Sequence, residues 1–141
     1  MRGFPSLPIN IYKEDDTRDP VTKVITNGNY IVWCTEKKPI QLLKLNEITN
    51  KYGMFQTLEN TIGEKRVAIS GNTIVTGSPG ESNSIKVWTL SNGLYRYTKT
   101  LKIPNDIVVN LVIEGSHIIS NTSSGRIIIH NLQELGPLIS C

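Results

Sequence analysis

The chain has 141 residues, of which 38% are hydrophobic and 19% are charged, a balance typical of globular proteins and not of disordered chains. It contains 19 Ile, 9 Val and 13 Thr residues against a single alanine, Ala68, which excludes a mainly helical fold and predicts a nearly all-β one. The formal net charge of +3 is small and the basic residues are scattered, which argues against a nucleic-acid-binding protein.

Two further features of the sequence concern the cellular compartment of the protein. No stretch approaches the roughly 20 apolar residues needed to cross a bilayer, and Met1 to Pro5 leads into no apolar core of signal-peptide length. Cys34 lies in an apolar run and Cys141 is the final residue, so we expect two reduced thiols. The sequence therefore predicts an intracellular protein, cytoplasmic or nuclear, without a membrane partner.

The first 20 residues contain one short strand-like run. Ile9-Asn10-Ile11-Tyr12 has apolar side chains at alternating positions, the pattern of a β-strand. A charged connector follows it, from Lys13 to Pro20.

A repeat of about 43 residues comes next. Its clearest markers are Gly28, Gly71 and Gly115, which are separated by 43 and 44 residues. Each glycine lies between two apolar runs, and a polar turn and a third apolar run follow. The first two copies end in a fourth run, Met54–Leu58 and Tyr97–Leu101. Four short runs per unit, bounded by turn residues, predict an array of four-stranded β-sheets.

The second copy resembles the middle of a WD-repeat blade. It reads Ile74-Val75-Thr76-Gly77-Ser78 and then Ile85-Lys86-Val87-Trp88-Thr89-Leu90, where the family has an apolar pair, Gly-Ser, and a strand that ends in Trp-Asp. The resemblance covers residues 21–136 and implies an all-β fold, a partial β-propeller of about three four-stranded antiparallel blades. The implied divisions are a segment at 1–20 with the last strand of a preceding blade, blades at 21–64 and 65–106, an incomplete blade at 107–136 and a tail at 137–141.

The sequence departs from the family pattern at the polar positions. Thr89 replaces the aspartate of Trp-Asp, and the family's Gly-His pair and turn aspartate are absent from all three copies. In the family these residues lock each blade through buried hydrogen bonds. We therefore expect these blades to be held by apolar packing alone, with Trp88 packed between blades.

The number of copies is too small for a closed ring. Propellers close with four to eight blades, because closure protects the edge strands. Two explanations remain open. The chain is a piece of a longer propeller, or two copies join into a ring of six or seven blades.

Residues with catalytic or ligand chemistry are few. His117 and His130 are the only histidines, and both are predicted to be structural. Asp106 and Glu114 flank the His117 strand without the spacing of a catalytic triad, and Cys34 has no neighbours with zinc-ligand spacing. The sequence predicts no catalytic residue, no metal and no cofactor.

The WD-repeat resemblance implies a non-enzymatic scaffold that binds other proteins or peptides, or a homo-oligomer that completes the propeller. Two alternatives are an adaptor subunit that recruits substrates to a larger complex such as a ubiquitin ligase, and a small hydrolytic enzyme. Loops on a rigid scaffold and exposed tryptophans are frequent contact sites, although core packing is the alternative for a tryptophan. The candidate partner contacts are Trp33, Lys37, Lys38, Pro79, Glu81 and Asn83.

Overall fold

A computed structural model describes residues 18–77 and 84–133, which form eleven β-strands and no helix. The predicted all-β fold class is therefore confirmed. The strands are β1 (Lys23–Thr26), β2 (Tyr30–Cys34), β3 (Gln41–Asn46), β4 (Lys51–Thr57), β5 (Arg66–Ser70), β6 (Thr73–Gly77), β7 (Ser84–Ser91), β8 (Leu94–Lys102), β9 (Val108–Glu114), β10 (His117–Thr122) and β11 (Ile127–Asn131).

The strands form three antiparallel sheets, each made of strands that are consecutive in the chain. The first sheet has the order β1-β2-β3-β4 and the second has the order β5-β6-β7-β8. The third has β9, β10 and β11 in the same arrangement, and within residues 18–77 and 84–133 it has no fourth strand. This is a partial β-propeller in which two sheets are complete.

The repeat glycines form the first hairpin turn of each sheet. Gly28, Gly71 and Gly115 have φ angles of 99°, 56° and 61°. Positive φ is accessible to glycine at little cost because it has no Cβ, which explains why glycine recurs at this point of the repeat.

The second sheet is packed between the other two. Successive side chains of a strand point to opposite faces, so Ile74 faces the first sheet and Val75 faces the third. The first core comprises Tyr30, Val32, Cys34, Ile40, Leu42, Leu58, Val67, Ile74, Trp88 and Tyr95. The second core comprises Ala68, Val75, Ile85, Val87, Ile103, Val108, Leu111, Ile113 and Ile118. Trp88 is thus packed between sheets, as predicted.

Several predicted segments lie outside the described residues. They are the strand at 9–12, most of the connector at 13–20, Ser78 to Asn83 and the tail at 137–141. Their assignment stays a prediction.

Candidate partner-binding surface

A buried carboxylate ties the third sheet to the connector that precedes it. Asp106 lies just before β9, and its side chain accepts hydrogen bonds from Arg126 Nε at 3.0 Å and Ser123 Oγ at 3.2 Å. The Ser124 hydroxyl and its backbone amide also donate to Asp106. Ser123, Ser124 and Arg126 belong to the β10–β11 turn, so Asp106 fixes this turn against the start of the sheet.

Asp106 is held in its charged form by these bonds. The Ser124 hydroxyl is the main cause that holds the pKa of Asp106 well below its usual range, with help from Thr122, the Ile107 amide and Arg126. Burial opposes the shift but is outweighed.

Asp19 has the same role in the first sheet. Its Oδ1 accepts the amides of Glu36 and Lys37 at 2.9 and 3.0 Å, and both amides belong to the β2–β3 turn. Burial acts to raise the pKa of Asp19, but the hydrogen bonds from Thr35, Lys37 and Glu36 outweigh it and lower the pKa. Each of these two sheets is therefore locked by a carboxylate on its connector.

The second sheet has a polar lock of another kind. Trp88 Nε1 donates to Thr76 Oγ1 at 3.1 Å, and both side chains are buried. The expectation that the blades are held by apolar packing alone is therefore wrong. The sequence did contain a signal for the carboxylate locks, because Asp19 and Asp106 both lie nine residues before a repeat glycine.

The predicted partner contacts have different surroundings. Trp33 is 4% exposed, which corrects the expectation of an exposed anchor and agrees with the alternative of core packing. Its indole lies on the face of β2 opposite to Val32 and Cys34, because successive side chains of a strand point to opposite faces. Lys37 is exposed and Lys38 is half-buried in the β2–β3 turn. Pro79, Glu81 and Asn83 lie outside the described residues, in the connection between β6 and β7.

The third sheet exposes apolar side chains that were not among the predicted contacts. Its outward face, which points away from the second sheet, carries Val112 (53% exposed), Ile127 (72%) and Ile129 (63%), with Ile119 half-buried among them. A shallow depression of about 470 Å³ lies on this face, lined by Val112, Ile119 and Ile127 together with polar neighbours. We call these four side chains the outward apolar face.

Among the described strands, β11 is an edge strand of the third sheet. β11 pairs with β10 through five residue pairs, whereas β3 and β7 each pair with strands on both sides. Within the described part of the chain, no strand adds to the other side of β11. Its sequence, Ile-Ile-Ile-His-Asn, has no Lys, Asp, Glu or Pro, which are the residues that usually protect an edge strand from pairing.

A second depression, of about 660 Å³, lies where turns of the first and second sheets meet. Its lining includes Asn27 and Asn46, whose side chains accept amides of their own turns: Asn29 and Tyr30 for Asn27, Ile48 and Thr49 for Asn46. The side-chain oxygens of these two asparagines therefore stabilise turns.

The described residues with catalytic or ligand chemistry include His117, His130 and Cys34. Burial lowers the pKa of His130 and raises the pKa of the Cys34 thiol to about 11. Asp106 is bonded to the β10–β11 turn, and His117 pairs across the sheet with Glu114 and Asn131. In the described ranges no three His, Cys, Asp or Glu side chains are placed to hold a metal ion, and no helix could span a bilayer.

Comparison with solved structures identifies the same fold. The computationally designed protein Ika4 matches with a TM-score of 0.64 and 18% identity over 84% of this chain and 69% of its own. The designed protein Ika8 gives 0.61 and 18%, over 84% and 35%. The β-propeller domain of Myceliophteria thermophila Cps50 (Swd1) gives 0.65 and 15%, over 79% and 40%. The chain therefore spans less than half of the last two proteins.

These similarities are at the level of fold. No protein-family model matches the sequence, and comparison with curated proteins finds no match. The match to a β-propeller domain agrees with the three sheets of consecutive antiparallel strands, and no function follows from identities below 20%.

Proposed function

We propose that this protein is a non-enzymatic scaffold that binds other proteins, and that the third sheet is its binding surface. One observation carries the proposal: the outward apolar face and the open edge of β11 belong to the same sheet. Exposed apolar clusters of this kind mark interaction sites on soluble proteins.

The two parts of the surface favour a β-strand as the bound element. A strand added to β11 would satisfy its outer row of backbone N–H and C=O groups, as in β-augmentation. The apolar side chains of the partner would then cover Ile127 and Ile129. The partner is therefore a protein or peptide with an extended segment, and neither a nucleic acid nor a membrane is required.

The rigidity of the sheet supports a scaffold role. Asp106 holds the β10–β11 turn at one end of β11, and Ile128 packs against the second core from the inward side. A preformed edge does not have to be ordered when the partner binds, so less conformational entropy is lost on association.

The test is photo-crosslinking at the surface in the cells that express the protein. We replace Ile127 with the photoreactive residue p-benzoylphenylalanine, irradiate, and identify adducts by mass spectrometry. The matched control carries the same residue at Ile48, which is 95% exposed in the turn between β3 and β4. We expect a discrete protein adduct from position 127 and none from position 48. Equal adducts at both positions, or none at either, would contradict the proposal.

A further inference from the structure

The depression of about 660 Å³ between the first and second sheets is bounded by hydrogen bonds that join its two walls. Asn27 Nδ2 donates to the Gly71 carbonyl at 2.9 Å, which ties the β1–β2 turn to the β5–β6 turn. On the side of β4 and β8, the Gln56 side chain makes two bonds, of 2.7 and 2.9 Å, to the backbone of Tyr95. The depression is therefore a preformed bowl, and its volume is in the range that small ligands occupy.

The shape of this bowl is a property of the repeat. The residue after each repeat glycine accepts a backbone hydrogen bond from a leucine at the end of the third strand of its sheet, at 2.7 to 2.8 Å: Asn29 from Leu45, Asn72 from Leu90 and Ser116 from Leu132. A second depression, of about 480 Å³, lies between the second and third sheets. Its lining includes Gly115, Ser116 and Leu132, which are the counterparts of Gly71, Asn72 and Leu90 in the first depression.

One cross-strand pair distinguishes the two depressions. In the first sheet Tyr30 is paired with Lys44, whereas the second sheet has two threonines, Thr73 and Thr89, at the equivalent positions. The Lys44 Nζ lies 5.9 Å from the centre of the Tyr30 ring and 5.2 Å from the centre of the Phe55 ring. Among the described residues, the lining of the second depression includes no aromatic side chain. The difference in chemistry is thus confined to the first depression, which we call the Lys44 depression.

The ammonium group of Lys44 is placed to bind an anion. The faces of two aromatic rings stabilise its positive charge and fix its position. Lys44 is exposed, and within residues 18–77 and 84–133 it forms no ion pair. An ammonium has three N–H donors, so it can donate to a ligand in the depression while it remains over the rings.

The neighbours of Lys44 favour a carboxylate over a phosphate. Asn29 and Asn72 lie on opposite walls and are exposed, and their hydrogen bonds within the described ranges are made by their backbones. Their side-chain amides can therefore donate to a ligand. The lining also includes one anion, Glu47, and no arginine in the described part of the chain. A doubly charged phosphate would be repelled by Glu47 and would lack the bidentate donor that phosphates prefer, so a single negative charge fits better.

We infer that the Lys44 depression binds the carboxylate of a small organic acid that has an apolar body. Lys44 pairs with the carboxylate, and the side-chain amides of Asn29 and Asn72 donate to its oxygens. The half-buried side chains of Leu45 and Leu90 contact the apolar body. This site is additional to the proposed scaffold function, because it lies between the first and second sheets and shares no residue with the outward apolar face.

The first experiment measures which chemical group is recognised. Butyrate, phenylacetate and octanoate, each paired with its primary amide, are titrated into the full 141-residue chain and followed by saturation-transfer NMR. We expect the acids to bind and the amides to bind about tenfold more weakly, because the amide loses a hydrogen bond between charged groups. Inorganic phosphate should not displace the acids. Equal binding of acid and amide, no binding of any acid, or displacement by phosphate would overturn the inference.

The second experiment uses the repeat to supply the variants. Lys44→Thr introduces the residue that the second sheet has at this position, and we expect about tenfold weaker binding of the acids and no preference over the amides. Lys44→Arg keeps the charge and should keep the preference. Lys99→Thr is the matched control, because Lys99 is exposed and lines the equivalent depression. Equal effects of Lys44→Thr and Lys99→Thr, in chains with unchanged melting temperatures, would contradict the assignment.

The site is also located without any substitution. In the unmodified protein, phenylacetate should shift the backbone amide resonances of Asn29 and Gly71 and leave those of Gly115 and Ser116 unchanged. The reverse pattern, or equal shifts in both depressions, would place the binding elsewhere and end the inference. The scaffold proposal is tested separately by crosslinking at position 127, so either proposal can fail while the other stands.

Discussion

The second and third sheets come from the same repeat but differ in what surrounds them. The second has four strands and an apolar core on each face. The third has three described strands, one core, and an outward apolar face that includes Ile127 and Ile129. Their strands alternate apolar residues in a similar way. The difference shows that a repeat specifies both faces of a sheet, while its neighbours decide whether each face becomes core or binding surface.

The largest difference in stability is expected between an alanine substitution of a buried isoleucine in the second sheet and one of an exposed isoleucine in the third. Ile74 is fully buried in the first core, so we expect Ile74→Ala to lower the free energy of unfolding by about 3 kcal/mol through lost burial and a residual cavity. Ile129 is exposed, so we expect Ile129→Ala to cost less than about 1 kcal/mol. Urea unfolding at submicromolar concentration measures both. Equal costs would mean that the outward face is already core in the isolated chain.

The next effect concerns the carboxylate lock of the third sheet. We expect Asp106→Asn to lower the melting temperature at pH 7 by several degrees, because the amide cannot replace the charged acceptor of Arg126 and Ser124. Glu114→Gln, at an exposed position of β9, is the control.

The hydrogen bonds to Asp106 also predict that the stability of the folded protein depends on pH. The pKa of Asp106 in the folded protein lies below the unfolded value of about 3.9. Its stabilisation is therefore complete above the unfolded pKa and is lost as the pH falls toward the folded pKa. We expect the melting temperatures of the protein and of Asp106→Asn to converge below about pH 4. A constant difference down to pH 2 would contradict this assignment.

A smaller effect is expected at the polar lock of the second sheet. Trp88→Phe removes the donor to Thr76 Oγ1 and leaves a buried hydroxyl without that partner, at a cost of about 1–2 kcal/mol. Adding Thr76→Val should restore part of the loss, because neither polar group then remains. A double-mutant cycle by urea unfolding measures the coupling, and strict additivity would show that the hydrogen bond has no net effect.

The smallest effect concerns the turns. Gly125, in the β10–β11 turn, has a φ of 92°, which is strained for any residue with a Cβ, so we expect Gly125→Ala to cost about 1 kcal/mol. Gly71, in the second sheet, has a φ of 56°, a value close to that of Asn50 and Asn105 in this chain. Gly71→Asn should therefore change thermal stability little, and a loss as large as that of Gly125→Ala would refute the distinction.

Most of the fold could be predicted because it depends on local patterns. The single alanine, the alternating apolar runs and the glycines at intervals of 43 and 44 residues are sufficient for strands, turns and the stacking of sheets. The burial of Trp88 also follows from its place in the repeat.

The candidate site could not be predicted in the same way. Ile127 and Ile129 lie in an apolar run like those of the buried strands, and whether they are exposed depends on what packs against the third sheet. Trp33 is the opposite case, since it was a candidate partner contact and its side chain is buried. The shared position of Asp19 and Asp106 becomes visible only when the copies of the repeat are aligned on their glycines. A single carboxylate in a sequence does not show which turn it will bind.

The order of strands within the sheets has a consequence for how the protein forms. Every strand in residues 18–77 and 84–133 is hydrogen-bonded only to strands next to it in the chain, so each of these sheets needs only short loops to close before its native pairs can form. The first sheet can therefore fold while the third is still being synthesised, and the second can then assemble on it. We expect folding to proceed from the first sheet to the third, so that β11 is the last of the described strands to form its pairs.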